Sequence, residues 1–203
     1  MALGDDYITK EQLKERLGIN DAVDDAVLSV AVSSATDGIN THCRRDFQKA
    51  DAASARKFRA TDAELVIVDD FHSTTGLILE TDEDDDGVFE TVWDAADYEL
   101  EPLNGVVDGK TGWPYWRICA VGSRSFPTAR RAGVRLTAPW GWADVPSNVV
   151  SAAYVIAEDV ARLKDTAFGV GGYSEFGRIR ARENPHAATF LQRYRRNTVR
   201  IGG

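Results

Sequence analysis

Two stretches of helical periodicity at opposite ends of the chain limit what it can fold into. In residues 21–44, Val27, Ala31, Ala35 and Ile39 recur at helical spacing, and in residues 147–164 Val149, Ala153, Ile156, Val160 and Leu163 do the same. An amphipathic helix must cover its apolar stripe with another surface. If these two cover each other, everything between them is an excursion from a helical base. Local signals support both helices: Asp21 or Asp24 lies near the positive end of the first, and Ser147, following Pro146, can cap the second. Gly38 either weakens the first helix or lets another helix approach closely. Ahead of both, Thr9 and Gln12 form a capping-box pair, Leu13 and Leu17 share a face, and Gly18 stops a short helix.

The excursion has a different grammar. RKFRA, ELVIVDDF, TGLILE and VFETVW are short β-prone runs broken by polar or glycine-containing turns. Residues 98–112, with Pro102, Asn104-Gly105 and Asp108-Gly109, read as a loop. Strands resume in YWRICAVG and GVRLTA, and PWGWADVP forms an aromatic corner containing Trp140 and Trp142. FGVGG is too rich in glycine for a core element and reads as a linker. Pro185 then opens a short helix with Phe190, Leu191 and Tyr194 on an apolar side and Arg193, Arg195 and Arg196 around it. The expected class is α+β: a helical base of three main helices, an antiparallel β-rich insert, and an extended C-terminal tail ending in a short helix. The expected boundaries are 1–47 for the first part of the base and 48–139 for the insert, then 140–166 for the aromatic corner with the last helix of the base, and 167–203 for the linker and basic tail.

Between GLILE and VFETVW lies TDEDDDG. Asp82, Asp84, Asp86 and Gly87 match the first, third, fifth and sixth places of an EF-hand loop, but the twelfth, where a bidentate Glu belongs, is Trp93. The favoured reading is a hairpin connection, because Gly87 can take a positive φ and Asp side chains bond nearby backbone amides without a cation. A weak calcium site and local disorder are the other readings of the same residues.

With 203 residues and 43% apolar content, the chain can bury a substantial core. Nothing in it resembles a signal peptide or a membrane span, so a soluble protein without a secretory route is expected. Cys43 and Cys119 form no CxxC pair and read as reduced thiols. The net charge of −8 is unevenly spread: residues 61–101 hold fifteen acidic side chains and no Lys or Arg, whereas residues 164–203 hold eight basic and three acidic ones. That balance disfavours nucleic-acid capture by the whole surface and suits charge-oriented docking on a protein. For the arginines of the tail, including Arg178, Arg180 and Arg182, a protein-facing role is favoured over a solvated tail or contact with DNA phosphates. FGVGG lacks the Gly-Lys-Ser/Thr of a phosphate loop, His42, His72 and His186 stand in unrelated contexts, and no serine has a G-x-S-x-G setting. Trp113, Tyr115, Trp116, Trp140 and Trp142 read as packing rather than a carbohydrate platform. The expectation is no enzyme, no catalytic residues, no metal and no cofactor.

Taken in order, YITKEQLKERLGI, SSATDGINTHCRRDF, WDAADYELEPLNG, GWPYWRICAVG, VRLTAPWGWADVPSNVVSAAYVIAEDVARLKD and GRIRARENPHAATFLQRYRR resemble the head-to-tail connector, or adaptor, proteins of long-tailed bacteriophages. The acidic hairpin and Trp-rich middle look like the more elaborate adaptors of actinobacterial phages. The resemblance covers most of the chain, and its most specific part combines Cys43-Arg44-Arg45-Asp46-Phe47, the WGW corner and the long helix after it. It implies a ring of copies, commonly twelve, at the capsid–tail junction of a virion, assembled from the host cytoplasm. The portal protein would lie on one side and a tail-side head-completion or stopper protein on the other, with DNA passing through without sequence-specific binding. The family has no catalytic residues to carry over. Its contact regions correspond here to Arg44, Arg45 and Phe47, to Trp140 and Trp142, and to Phe190, Arg193, Tyr194 and Arg196. The alternatives are a tail component or another protein-binding module and, less favoured, a carboxylate- or calcium-dependent hydrolase.

Overall fold

The computed structural model describes residues 4–60, 62–128, 131–162 and 182–196. The chain divides into a helical unit, Met1–Phe47 with Val145–Gly203, and a strand unit, Gln48–Asp144. Leu163, Lys164, the glycine-rich linker, Arg178 and Arg180 lie outside the described residues. The fold is α+β, with four α-helices and two small antiparallel sheets among those residues. None of the described helices is long and apolar enough to cross a membrane.

In the helical unit, α1 spans Lys10–Leu17, α2 Asp25–Cys43, α3 Ser147–Arg162 and α4 Pro185–Leu191. The capping box at Thr9 forms in both directions, so two N–H groups at the start of α1 are satisfied by side chains. Gly18 ends the helix at φ 69°, where its N–H donates to Glu15 O and that of Ile19 to Lys14 O. Helix α2 starts later than Asp21, with Asp24 at its N-cap, and ends where Arg44 turns left-handed at φ 54°. Its buried stripe runs Leu28, Ala31, Val32, Ala35, Ile39 and Cys43, and Gly38 is buried beside it. Helix α3 begins at Ser147 itself, with Val149 and Val150 donating to Pro146 O, and buries Val149, Ala152, Ala153, Ile156, Ala157 and Val160. The principal helix pairing is α2 with α3, while α1 and α4 pack at their margins. The alanines on both stripes, with Gly38 beside that of α2, put little side-chain bulk between the paired helices.

The strand unit contains β1 Ser54–Phe58, β2 Leu65–Phe71, β3 Ile78–Thr81, β4 Thr91–Val92, β5 Tyr98–Glu101, β6 Tyr115–Ala120 and β7 Val134–Ala138. One sheet has the order β1-β7-β3-β4 and the other β2-β6-β5. Alternation assigns the faces: Val134, Leu136 and Ala138 of β7 are buried while Arg135 and Thr137 lie between them on the other face. The core gathers Val66, Val68, Phe71, Leu79, Trp93, Ile118, Phe126, Leu136 and Trp140. The acidic stretch does connect two paired strands, β3 and β4. The loop expected over 98–112 differs at its start, because Tyr98–Glu101 pairs with β6 from Tyr98↔Ala120 to Glu101↔Arg117. YELE has weak intrinsic strand preference, and the partner strand supplies what local propensity lacks. The rest of that stretch turns as expected, with Asn104, Gly105, Asp108 and Gly109 all at positive φ.

The Trp140–Trp142 corner packs within the strand unit, wedged between residues 48–50 and the end of β2. Ala50 N–H donates to Trp140 O at 3.0 Å, Gly141 N–H to Asp70 O at 2.7 Å, and Trp142 N–H to Gln48 O at 3.2 Å. Gly141 sits at φ 91°, and a Cβ there would lie 1.7 Å from Gln48 O. Gly18 has a similar dihedral but nothing within 4 Å of its missing Cβ. Gly141→Ala should therefore destabilise by about 3 kcal/mol or more through backbone clash plus strain, and Gly18→Ala by only about 1–2 kcal/mol through the left-handed dihedral. Chemical denaturation of both variants checks this; equal losses would contradict the close approach.

Candidate protein-docking site

The expected contact residues fall into two groups. Trp140 and Trp142 are buried in the strand unit, the first donating its Nε1–H to Ser54 O at 2.7 Å and the second to Asp70 Oδ2 at 3.1 Å. Trp142 stacks obliquely on Trp113, which is itself buried, so these rings hold the corner rather than form an exposed platform. Arg44, Arg45, Phe47, Arg193, Tyr194 and Arg196 converge instead at the C-terminal end of α2, where Arg196 N–H donates to Cys43 O at 2.9 Å.

The centre of this assembly is the Phe47 ring, fully buried and met edge-on by Tyr7 at 6.0 Å and Tyr194 at 5.6 Å. Tyr7 was not among the sequence candidates, yet it fastens the group: its hydroxyl accepts the Phe47 N–H at 3.0 Å and donates to Asn40 Oδ1. Its own N–H reaches Thr36 Oγ1. Burial raises the Tyr7 phenol well above its ordinary value, which keeps it protonated as that donor. Directly after α4, the short helical turn Gln192–Tyr194 gives way to extended backbone at Arg195. Upstream, Asn184 caps α4 by accepting from His186 and Ala187 N–H, and its Nδ2 donates to Asp159 Oδ2 of α3 at 2.8 Å. This anchors the start of the helix that delivers Tyr194, while Phe190 is half-buried on α4.

Electrostatics marks the rim as cationic. Arg44 and Arg195 are exposed, Arg193 and Arg196 half-buried, and Arg45 is buried. His42 is held below its ordinary value by burial and then by the charges of Arg195 and Arg182, so it adds no charge at neutral pH. Burial pushes the Cys43 thiol up to about 12, with Arg45 and Arg195 pulling weakly the other way. The thiol is thus a packing group rather than a nucleophile. A cationic rim around a buried aromatic seat can recognise carboxylates or phosphates.

The acidic turn is built from its own side chains. Asp82 is buried and accepts N–H bonds from Asp86 at 3.2 Å and Gly87 at 2.8 Å, and Asp86 accepts from Val88 at 2.7 Å. Asp85 and Gly87 take positive φ, as the turn requires. Carboxylate oxygens of Asp82, Asp84, Asp86 and Glu90 lie within 4.8 Å of one another, and these are the residues that could hold a cation. Glu90 occupies the ninth place of the EF-hand count, a position the sequence reading passed over in looking to the twelfth.

No protein-family model matches the chain, and no curated protein matches it. Among solved structures, its fold is similar to that of a chain in the neck of an empty gene transfer agent particle computed with C6 symmetry. The two share a TM-score of 0.56 and 17% identity over 97% of this chain and 93% of that one. A chain of the neck of a native gene transfer agent particle computed with C12 symmetry gives a TM-score of 0.49 and 19% identity over 98% and 97%. One of the virion of a native gene transfer agent particle gives 0.49 and 20% over 97% and 93%. At the first of these scores the likeness is one of fold, extending over nearly the whole chain.

Tyr7→Phe keeps the ring but leaves the buried Phe47 N–H without its acceptor. It should cost about 1–3 kcal/mol in denaturant unfolding; an unchanged midpoint would show that the hydroxyl contributes nothing. For the acidic turn, in which Asp82, Asp84 and Asp86 already accept backbone N–H groups, calorimetry should detect no tight calcium binding. A stoichiometric sub-micromolar signal removed by Asp84→Asn would contradict this.

Proposed function

We propose that this chain is a structural subunit of the head–tail junction of a phage-like particle. It acts there as an adaptor, forming a ring of twelve copies beneath the portal and joining the DNA-filled head to a tail-side stopper. The observation that carries the reading is the fold likeness, over nearly the full length of both chains, to a chain of a gene transfer agent neck. The sequence resemblance to head-to-tail adaptors points the same way and supplies the finer placement. By that resemblance the C-terminal part of the chain, including α4 and Phe190, meets the portal.

The charge distribution fits such a role. The strand unit carries ten basic and eighteen acidic side chains, whereas the helical unit carries fourteen of each, so the whole net charge of −8 belongs to the strands. Carboxylates facing a DNA conduit repel phosphates and keep passing DNA from sticking. Closed repetition around a ring lets modest contacts sum to a persistent assembly. Such an adaptor works by docking and needs no catalytic group.

Reconstruction of the particle that carries the chain tests this directly, and a ring of copies between portal and tail is the expected result. Particles assembled without the chain should accumulate as DNA-filled heads with most tail attachment lost. Normal tails in its absence, or its density elsewhere in the particle, would overturn the reading.

A further inference from the structure

The four-stranded sheet ends in two strands that each have a neighbour on one side only. Strand β1 pairs with β7 and β4 with β3, and among the described residues no strand borders the other side of either. An unpaired edge presents N–H and C=O groups to any strand laid beside it. The ladder keeps its rows from one edge to the other: Phe58, Val134, Thr81 and Thr91 form one row, and Lys57, Arg135, Glu80 and Val92 the next. Arg59 follows Phe58 and Glu90 precedes Thr91, so both stand one step beyond the first row, at the same end of the sheet. The edges differ in charge. Lys57 and Arg59 are exposed on the β1 side, and on the β4 side Glu90 is exposed, with Glu83, Asp84 and Asp86 in the turn ahead of it.

We infer that β4 of one copy pairs with β1 of the next, continuing the sheet from subunit to subunit with Glu90 of one beside Arg59 of the other. The inference rests on the reading of the chain as a ring-forming subunit and names the contact between neighbours. Strand direction allows it: β1, β7, β3 and β4 are each antiparallel to the one before, so a second β1 beside β4 in a similarly oriented copy is antiparallel again. Continuing the rows puts Glu90 opposite Arg59 and Val92 opposite Lys57 on one face, because side chains two apart point the same way. Val92, 58% exposed in the single chain, then meets the aliphatic stem of Lys57. The ammonium of that lysine stays over the Phe89 ring of its own copy, 4.8 Å from its centre.

Charge selects this occupant over others. An opposite-charge pair across two strands supports their pairing and a like pair opposes it. Two β1 edges brought together set cations against cations, and two β4 edges set carboxylates against carboxylates, so only the unlike edges suit each other. A strand of an unrelated protein would match one edge, whereas a copy of this chain matches both. Strand β4 is short, which by itself blunts an edge, although Trp93 N–H, donating to Leu79 O at 2.9 Å, carries its ladder with β3 one residue further. Repetition around a closed assembly adds what a short ladder lacks. Two different edges make the contact heterologous, the type that closes into a ring when the rotation between copies closes.

Sedimentation equilibrium of the full chain, with hydrogen exchange on the same samples, tests the pairing. The wild type should self-associate, more weakly as salt rises, and association should slow amide exchange both in residues 55–59 and in residues 90–93. Arg59→Glu and Glu90→Lys, both at exposed positions, should fold as the wild type does by circular dichroism. Each alone should associate at least about fivefold more weakly. An equimolar mixture should recover the affinity, because every contact in an alternating assembly then joins opposite charges. A wild type that stays monomeric, variants that associate like it, a mixture that fails to recover, or protection confined to one of the two edges would each overturn the pairing. The head–tail reading is decided separately, by reconstruction of the particle. A ring at the junction joined through other surfaces overturns the pairing alone, and a chain that pairs by these edges but lies elsewhere in its particle overturns the head–tail reading alone.

Discussion

The helical unit depends on one long-range hydrogen bond and the rings around it. Phe47 lies where the chain leaves α2 for the strands, and its N–H, buried with it, would be costly to leave unmet. Tyr7, forty positions earlier, supplies the acceptor, and its ring and that of Tyr194 both meet Phe47 edge-on. One residue thus couples the N-terminal segment, the exit of α2 and the segment after α4. The arginines are brought together as a consequence: they are carried on backbones that this aromatic triplet fixes.

The strand unit solves a comparable problem by backbone proximity. Residues 139–142 pass between residues 48–50 and the end of β2, bonding to both sides, and the passage is narrow enough to exclude any side chain at Gly141. The tryptophans on either side then point their indole N–H groups at fixed acceptors, Ser54 O and the buried Asp70 carboxylate. Trp140 and Trp142, which the sequence reads as packing residues and the family resemblance places in a contact region, are buried here and hold the corner. Exposed charge is displayed on a turn whose shape comes from its own aspartates.

A division of labour follows between groups that hold the fold and groups that can meet another molecule. Phe47, Tyr194, Trp140 and Trp142 belong to the first kind, being buried and satisfied. Arg44 and Arg195, with the carboxylates of Glu83 and Asp84, belong to the second, because solvent reaches them. Exposed ion pairs are individually weak, so contacts made by such groups count only where several act together.

The features legible in the sequence were those set by neighbours in the chain. Thr9 with Gln12, Gly18, Pro185 and the Asp-Gly turn all act within a few residues, and the apolar stripes of α2 and α3 declare themselves by period. The α+β class and the place of the acidic connection followed from these. Tertiary structure alone decided that YELE would be a strand, that Tyr7 would fasten Phe47, that Gly141 would be pressed against Gln48, and that arginines from both ends of the helical unit would share one rim. Each of these joins residues far apart in the chain, and the free energy that selects them comes from the partner's backbone or ring, which no local window of sequence contains.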